Sequence, residues 1–257
     1  GSLLEHTSQY IDFFLSPFVK AMPSYIRDTK EFLRRIEGIH WDTDMLMLGL
    51  DVTSLYTSIK HEDGITAVRY FLRARSLHLY DHTEMLIEMI HYCMHNNYFM
   101  FDNQHYKQLR GVAMGTCFAP NLAGLLMGWW ENTFVYPLQE FTDHVLLWIR
   151  YIDDLFILWQ GSEDDAKKFI RKLNHNPHNL KFTHTISKEK MVFLDTEVTA
   201  IGNSLATCLH RKATAGNTLL NARSNHPRKL IQSIPYREFI RARRNCSGDV
   251  EFEHECK

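Results

Sequence analysis

With 257 residues, 45% apolar and 12% aromatic, the chain has the material for a substantial buried core, which excludes a disordered or low-complexity polymer. A formal net charge of −1 gives no global attraction to an anionic partner, so any such partner must be held by a local patch. No apolar run reaches the length of a membrane span. The five cysteines (93, 117, 208, 246, 256) lack paired metal spacing and, with no leader peptide visible, read as free thiols of a reducing compartment.

Gly1-Ser2 reads as a cloning remnant and is set aside. Residues 3–19 place Leu4, Ile11, Phe14, Leu15 and Phe18 at helical spacing, and Pro17 is expected to limit any single helix there. Asp28-Thr29 opens a helix over residues 30–36, with Gly38 as its stop. Its cations Arg27, Lys30, Arg34 and Arg35 read either as contacts to a template strand or as an ordinary amphipathic surface. Met45 to Leu50 is a continuous apolar run, a central strand ending in Asp51, and a semi-polar bend over 52–57 follows. Asp63-Gly64 leads into a helix over 65–77, with Val68, Phe71 and Leu72 as its core stripe. Thr83 begins another over 84–95, whose Met85, Met89, Tyr92 and Cys93 share one side and read as packing. Residues 97–101 and 105–109 flank Asp102-Asn103-Gln104 as a hairpin. That hairpin presents a small-residue loop, 111–120, which feeds a helix over 121–130.

Tyr151-Ile152-Asp153-Asp154 sits between two apolar runs, 145–149 and 155–159, which read as buried strands. Adjacent aspartates suit a tight turn. Carboxylates at the tip of a buried hairpin must also be hydrated, paired or on a metal. An ordinary Asp-Asp turn and half of a two-metal site therefore both fit, and the second needs a carboxylate from a neighbouring strand, which Asp51 supplies. Gly161-Ser162 then starts a helix with Glu163, Asp164 and Asp165 in its first turn and Lys167, Lys168, Arg171 and Lys172 following, a structural arrangement that complements the helix dipole. Short strands are expected over 180–186, 191–199 and 205–210, with turns at 188–190 and 202–203. From Arg211 to Arg244 there are nine Lys/Arg against one acid, Glu238, ending in a helix over 236–244. The run reads as a solvated face or as a surface for a nucleic-acid backbone.

A strand ending in Asp, a Gly-rich loop feeding a helix, and a Tyr-x-Asp-Asp hairpin resemble the A, B and C motifs of reverse transcriptases. More narrowly, Leu50-Asp51-Val52-Thr53-Ser54-Leu55-Tyr56-Thr57, Ala113-Met114-Gly115-Thr116 with Ala119-Pro120, Arg150-Tyr151-Ile152-Asp153-Asp154 and Phe193-Leu194-Asp195 resemble Penelope-like retroelements, relatives of telomerase. Pro23-Ser24-Tyr25-Ile26-Arg27-Asp28-Thr29, Ser224-Asn225-His226-Pro227 and Arg241-Ala242-Arg243-Arg244-Asn245-Cys246-Ser247 extend that resemblance over nearly the whole chain. It implies an α+β fold: a right-hand polymerase palm with an antiparallel sheet packed on helices, partial fingers and the start of a thumb. Residues 3–44 would be a helical fingers-side segment, 45–200 the palm, and 201–257 the palm end and basic start of the thumb.

The same resemblance implies a nuclear RNA-directed DNA polymerase of a retrotransposon, adding dNTPs to a DNA primer on an RNA template, with no membrane partner. Its cofactor would be Mg²⁺, with Mn²⁺ as a substitute. Asp51 and Asp153 would bind the metals, the Val52 carbonyl would contribute to the triphosphate-bound ion, and Asp154 would be a supporting carboxylate. Tyr56 falls at the steric gate that rejects a ribose 2′-OH, and a core tyrosine is the alternative. Gly115 would let the backbone approach beneath the incoming base pair. Met114 stands where retroviral enzymes carry a glutamine, for which Gln108 is a substitute. Tyr151 and Ile152 would pack under the primer terminus, Phe193 and Leu194 belong to a primer-grip element, and Arg241, Arg243 and Arg244 would meet primer and template. Lys181 falls near a position that can carry a protonating lysine.

Two departures from the family pattern stand out: fingers motifs for triphosphate contacts are not found ahead of Asp51, and no Gly-Ile-Tyr/Tyr-Ile-Gly endonuclease is found. A catalytically weak or inactive nucleic-acid-binding module resting on the 211–244 stretch is the alternative reading. A metal-dependent nuclease shares the paired carboxylates but has no need of Tyr56 or the Gly115 loop.

Overall fold

The continuous apolar runs become the inner strands of one antiparallel sheet. The computed structural model describes residues 4–73, 80–211, 220–221 and 223–256. Numbered in chain order, its strands are β1 (Met45–Val52), β2 (Tyr98–Phe101), β3 (Gln104–Lys107), β4 (Val145–Tyr151), β5 (Asp154–Gln160), β6 (Phe182–Ser187), β7 (Lys190–Phe193), β8 (Thr196–Ile201) and β9 (Ser204–Leu209). The main sheet runs β4-β5-β1-β6, β2 and β3 form a separate hairpin, and β7-β8-β9 form a second small sheet. The helices are α1 (Glu5–Lys20), α2 (Thr29–Ile36), α3 (Leu55–Ser58), α4 (His61–Arg73), α5 (Tyr80–His95), α6 (Ala119–Trp130), α7 (Gln139–His144), α8 (Glu163–Leu173), α9 (Arg228–Asn245) and α10 (Asp249–Glu255). A π-helical turn, Glu131–Val135, extends α6.

Period-two alternation explains why β1 reads as apolar without interruption. Leu46, Leu48 and Leu50 join Leu155, Ile157 and Trp159 of β5 in a core roofed by α1, α4, α5, α6 and α8. Met45 and Met47 face the other way, with Phe156 and Leu158, onto Phe32 and Ile36 of α2 and Met191 and Phe193 of β7. Both faces are buried, so neither set of positions can be polar. α6 is apolar nearly all round because it is buried nearly all round, from Leu122 to Met127 and again at Trp130.

Capping residues act as their types predict. The Asp28 carboxylate accepts from Glu31 N at 3.0 Å and the Ser162 hydroxyl from Asp165 N at 3.1 Å. Several sequence expectations need correction. α1 runs through Pro17, which lies on the exposed side of the helix with Phe13, while Ile11, Leu15 and Val19 on the other side are buried and hold the helix to the core. α9 likewise runs through exposed Pro235 and starts eight residues before the expected 236. α4 begins at His61, so Asp63-Gly64 lies inside its first turns, with Gly64 buried in the packed face. The expected continuation over 74–77 lies outside the described residues. α5 turns Leu86, Ile87, Ile90, Cys93 and Met94 to the core, whereas Met85 and Tyr92 are 40% and 58% exposed. The strand expected over 191–199 is broken at Leu194-Asp195 into β7 and β8.

Candidate active site

Register brings the acidic residues together. β1 pairs with β5 so that Asp51 lies opposite Asp154, and Val52 N donates to Asp153 O at 3.2 Å. Tyr151 pairs with Asp154, leaving Ile152 and Asp153 as a two-residue turn. Ile152 has φ +56°, the hand of turn that matches strand twist but one that a β-branched residue adopts only under constraint. Asp51 is exposed, while Asp153 and Asp154 are half-buried. Burial first, and the Asp153 charge second, push the Asp51 carboxyl above the usual carboxylate range.

Tyr56 is carried into the same place by α3, which follows Ser54 at φ +53°. Its phenol is raised by burial, then by Asp153 and Tyr151, which puts all three within one electrostatic neighbourhood. The small-residue loop is bolted onto this helix. Val112 N donates to Tyr56 O at 2.8 Å and Gly111 N to Ile59 O at 2.9 Å. Gly111 has φ +80°, and a Cβ on it would lie 2.8 Å from both Tyr56 O and Thr57 Cα. The sequence reading singled out Gly115 and missed Gly111. Gly115, at φ +102°, faces open space, and neighbouring Met114 is 76% exposed. Ala113 to Cys117 also wall a cavity of about 420 Å³ shared with Ser8, Cys93 and Asn97.

The other residues singled out from the sequence have the following surroundings. The Gln108 side chain is engaged at the hairpin base, donating to Arg110 O at 2.9 Å and accepting from the Asn97 amide. Phe193 is core, 4% exposed and packed on Phe32 and Phe156, and it is Leu194, at φ +55°, that forms the tip of the turn. Tyr151 and Ile152 are half-buried beside the two cores. Arg35 donates to Tyr25 O at 2.8 Å and Arg27 pairs with Asp28. Lys181 donates to Asn174 O at 2.9 Å.

The C-terminal cations divide. Arg241 Nε is held by Asp195 at 3.0 Å, and Arg243 pairs with Asp249 at 3.1 Å and lies over Phe252. Arg244 lines a groove of about 470 Å³ with Lys30 and Arg237. Lys212, counted in the basic run, lies outside the described residues. Asp195 is the latch between α2, the β7–β8 turn and α9: Thr29 Oγ1 donates to it at 2.6 Å, and Asn245 Nδ2 to its carbonyl at 3.3 Å. Burial alone would raise this carboxyl, but the bonds from Thr29 and Arg241 outweigh it and hold it below the usual range. A depressed folded value contributes stability above the unfolded value that is lost as pH falls through the folded one. Acidification should therefore release α9 first, seen as accelerated amide exchange over 228–245. Asp195→Asn should show that faster exchange already at neutral pH.

Among the described residues, no group of three or more His, Cys, Asp or Glu is arranged to hold a metal by itself. What the site offers is Asp51 and Asp153, oxygen donors close enough for one charge to perturb the other. A hard cation that completes its shell with waters and phosphates fits such a donor set.

An antiparallel sheet carrying paired aspartates on adjacent strands, backed by helices and flanked by a loop-helix, defines a polymerase-like α+β fold. Among solved structures, telomerase from Candida albicans in complex with a TWJ fragment of telomeric RNA superimposes with a TM-score of 0.63 at 12% identity, over 93% of this chain and 42% of that one. Apo telomerase from Candida tropicalis, truncated from its C-terminal domain, gives 0.57 at 16% identity, over 79% and 45%. An RNA-dependent RNA polymerase, vp4, gives 0.56 at 10% identity, over 76% and 20%. The chain thus spans less than half the length of the telomerases it matches. The Animal helix-turn-helix domain family matches residues 218–257, the segment holding α9 and α10. Comparison with curated protein sequences gives no match. No helix among the described residues is long and apolar enough to cross a membrane.

Proposed function

We propose that the chain is the palm-centred part of a Penelope-like reverse transcriptase, an RNA-directed DNA polymerase acting in the nucleus. The observation that carries this reading is the convergence of Asp51, Asp153 and Asp154 at one end of the β1–β5 pair, with Tyr56 and the Gly111–Gly115 loop packed alongside. The telomeric RNA bound to the Candida albicans telomerase supports an RNA template.

Asp51 and Asp153, with the Val52 carbonyl, would hold Mg²⁺ or its substitute Mn²⁺, and Asp154 would support them. When bound, such ions help ionise the primer hydroxyl and neutralise charge on the attacking and leaving oxygens of an in-line displacement. Tyr56, fixed through its carbonyl by Val112, blocks the side of the nucleotide where a 2′-OH would stand. The open face of Gly115 accepts the base pair being formed. Lys30, Arg237 and Arg244 line a groove whose two acids, Asp28 and Asp195, are already paired with Arg27 and Arg241, which leaves a cationic excess for a strand backbone, with an affinity that should fall steeply with salt.

The test is primer extension on an RNA template with Mg²⁺, offering dNTPs or NTPs. dNTP extension is expected, with NTPs rejected, and Tyr56→Ala should admit NTPs at least about tenfold better, the scale of about 1.4 kcal/mol of lost exclusion. No extension by the parent, together with tight salt-sensitive binding, would favour a nucleic-acid-binding module. The helix-turn-helix match over residues 218–257 is the observation on that side.

A further inference from the structure

A buried charge pair sits directly behind the turn that carries Asp153. Arg150 and Glu131 are each 1% exposed, and Arg150 Nε donates to Glu131 Oε1 at 2.8 Å. The same carboxylate accepts from the Ser24 hydroxyl at 2.6 Å and the Trp148 indole N–H at 3.0 Å. Desolvating two ions is expensive, and a well-packed apolar pair would often be as stable, so stability alone is a poor reason for this arrangement.

Its surroundings point to the turn. Arg150 Nη1 donates to Ile152 O at 3.3 Å, and Nη2 reaches Gly124 O on α6 at 3.4 Å. The Arg150 backbone is clamped as well: its N–H donates to Ser24 O at 2.7 Å and its carbonyl accepts from Ile26 N at 3.2 Å. The residue these contacts reach, Ile152, has the left-handed φ of +56° that a β-branched side chain keeps only when the structure around it insists. Glu131 opens the π-helical turn after α6, a local widening that is found often at functional sites.

We propose that Arg150 and Glu131 are a positioning pair: together they hold the Ile152 carbonyl, and with it the strained turn, in the form that sets Asp153 and Asp154 against Asp51. The catalytic consequence rests on the polymerase reading, whereas the geometric claim does not. Arginine suits this place because it reaches Glu131 from Nε and Ile152 from Nη1, two nitrogens held apart in one planar fork, whereas a lysine has a single nitrogen that cannot occupy both positions.

The experiment compares the full chain with Arg150→Lys and with the double variant Glu131→Leu/Arg150→Met, which removes both charges without stranding either. Four readouts are taken: thermal unfolding, amide hydrogen exchange at residues 152–154, Mn²⁺ titration by the loss of its free electron-spin signal, and primer extension. Arg150→Lys should unfold near the parent temperature yet exchange these amides about tenfold faster, the scale of one charge-assisted hydrogen bond. Mn²⁺ affinity should weaken by a similar factor, and kcat should fall with the dNTP KM unchanged. The double variant should stay folded and show the same losses. Parent-like exchange and Mn²⁺ affinity in Arg150→Lys, or in a folded double variant, would overturn the proposal and leave the pair as packing. If the double variant does not fold, Arg150→Lys decides. If the parent extends no primer, the polymerase reading fails, and exchange at 152–154 still decides the positioning claim.

Discussion

Asp51→Asn is expected to leave the chain folded and to lower metal-dependent nucleotide addition by about a thousandfold, several kcal/mol of lost charge stabilisation. The side chain is exposed at the end of β1, opposite Asp154, so an isosteric amide removes no packing. It removes one of two carboxylates that repel each other, so the unfolding temperature should hold or rise. The pH dependence has a definite sign. A carboxyl raised in the folded state holds its proton where the unfolded chain has lost it, so metal-free stability falls as pH rises through that range. Protons compete with metal over the same range, so Mn²⁺ affinity should climb with pH there. Both trends should vanish in Asp51→Asn, as followed by thermal unfolding and Mn²⁺ titration. Parent-like Mn²⁺ binding by the variant would remove Asp51 from the site.

Gly111→Ala should be the most damaging single-carbon change near the site. The added Cβ would meet backbone at 2.8 Å on two atoms, Tyr56 O and Thr57 Cα, which cannot swing aside, and φ +80° adds its own strain. The expected cost is about 2–4 kcal/mol, or an unfolding temperature lower by roughly 5–15 °C for a chain of this size. Release of the loop should also free Tyr56 and erode discrimination against NTPs. Gly115→Ala is the control. It meets no atom within 4 Å, so only its φ of +102° is strained, and its effect should fall on dNTP KM more than on stability. Equal unfolding temperatures for the two variants would contradict the account of the loop as a part bolted to α3.

These contrasts mark where the sequence was legible. β1 and β5 could be read because both faces of the sheet are buried, which forces unbroken apolar runs, and the acids at their ends then stood out. Asp28, Ser162 and the turn at Asp102-Asn103-Gln104 could be read because caps and tight turns depend on local chemistry; Asp102 and Asn103 take positive φ, while Gln104 already pairs with Phe101 in the strand. Pro17 misled because a proline costs a helix one hydrogen bond and some crowding, which the packing of Ile11, Leu15 and Val19 in the core outweighs. The Leu194-Asp195 break was hidden inside a β-favouring stretch read as one strand, since the turn is held by Thr29 and Arg241, 166 and 46 residues away. Glu131 and Gly111 escaped for the same reason. Each owes its role to a partner distant in sequence or to a backbone contact, and neither leaves a local pattern. The pairing of Arg241 was likewise set by Asp195, 46 residues away.

The central claim is that the β4–β5 turn and the end of β1 form a nucleotide-adding centre. It is tested most directly by primer extension on an RNA template with dNTPs and Mg²⁺, comparing the parent with Asp153→Asn and measuring binding of the same primed template by both. Extension by the parent, none by Asp153→Asn, and equal salt-sensitive binding by the two is the predicted result. Extension that survives in Asp153→Asn would contradict it.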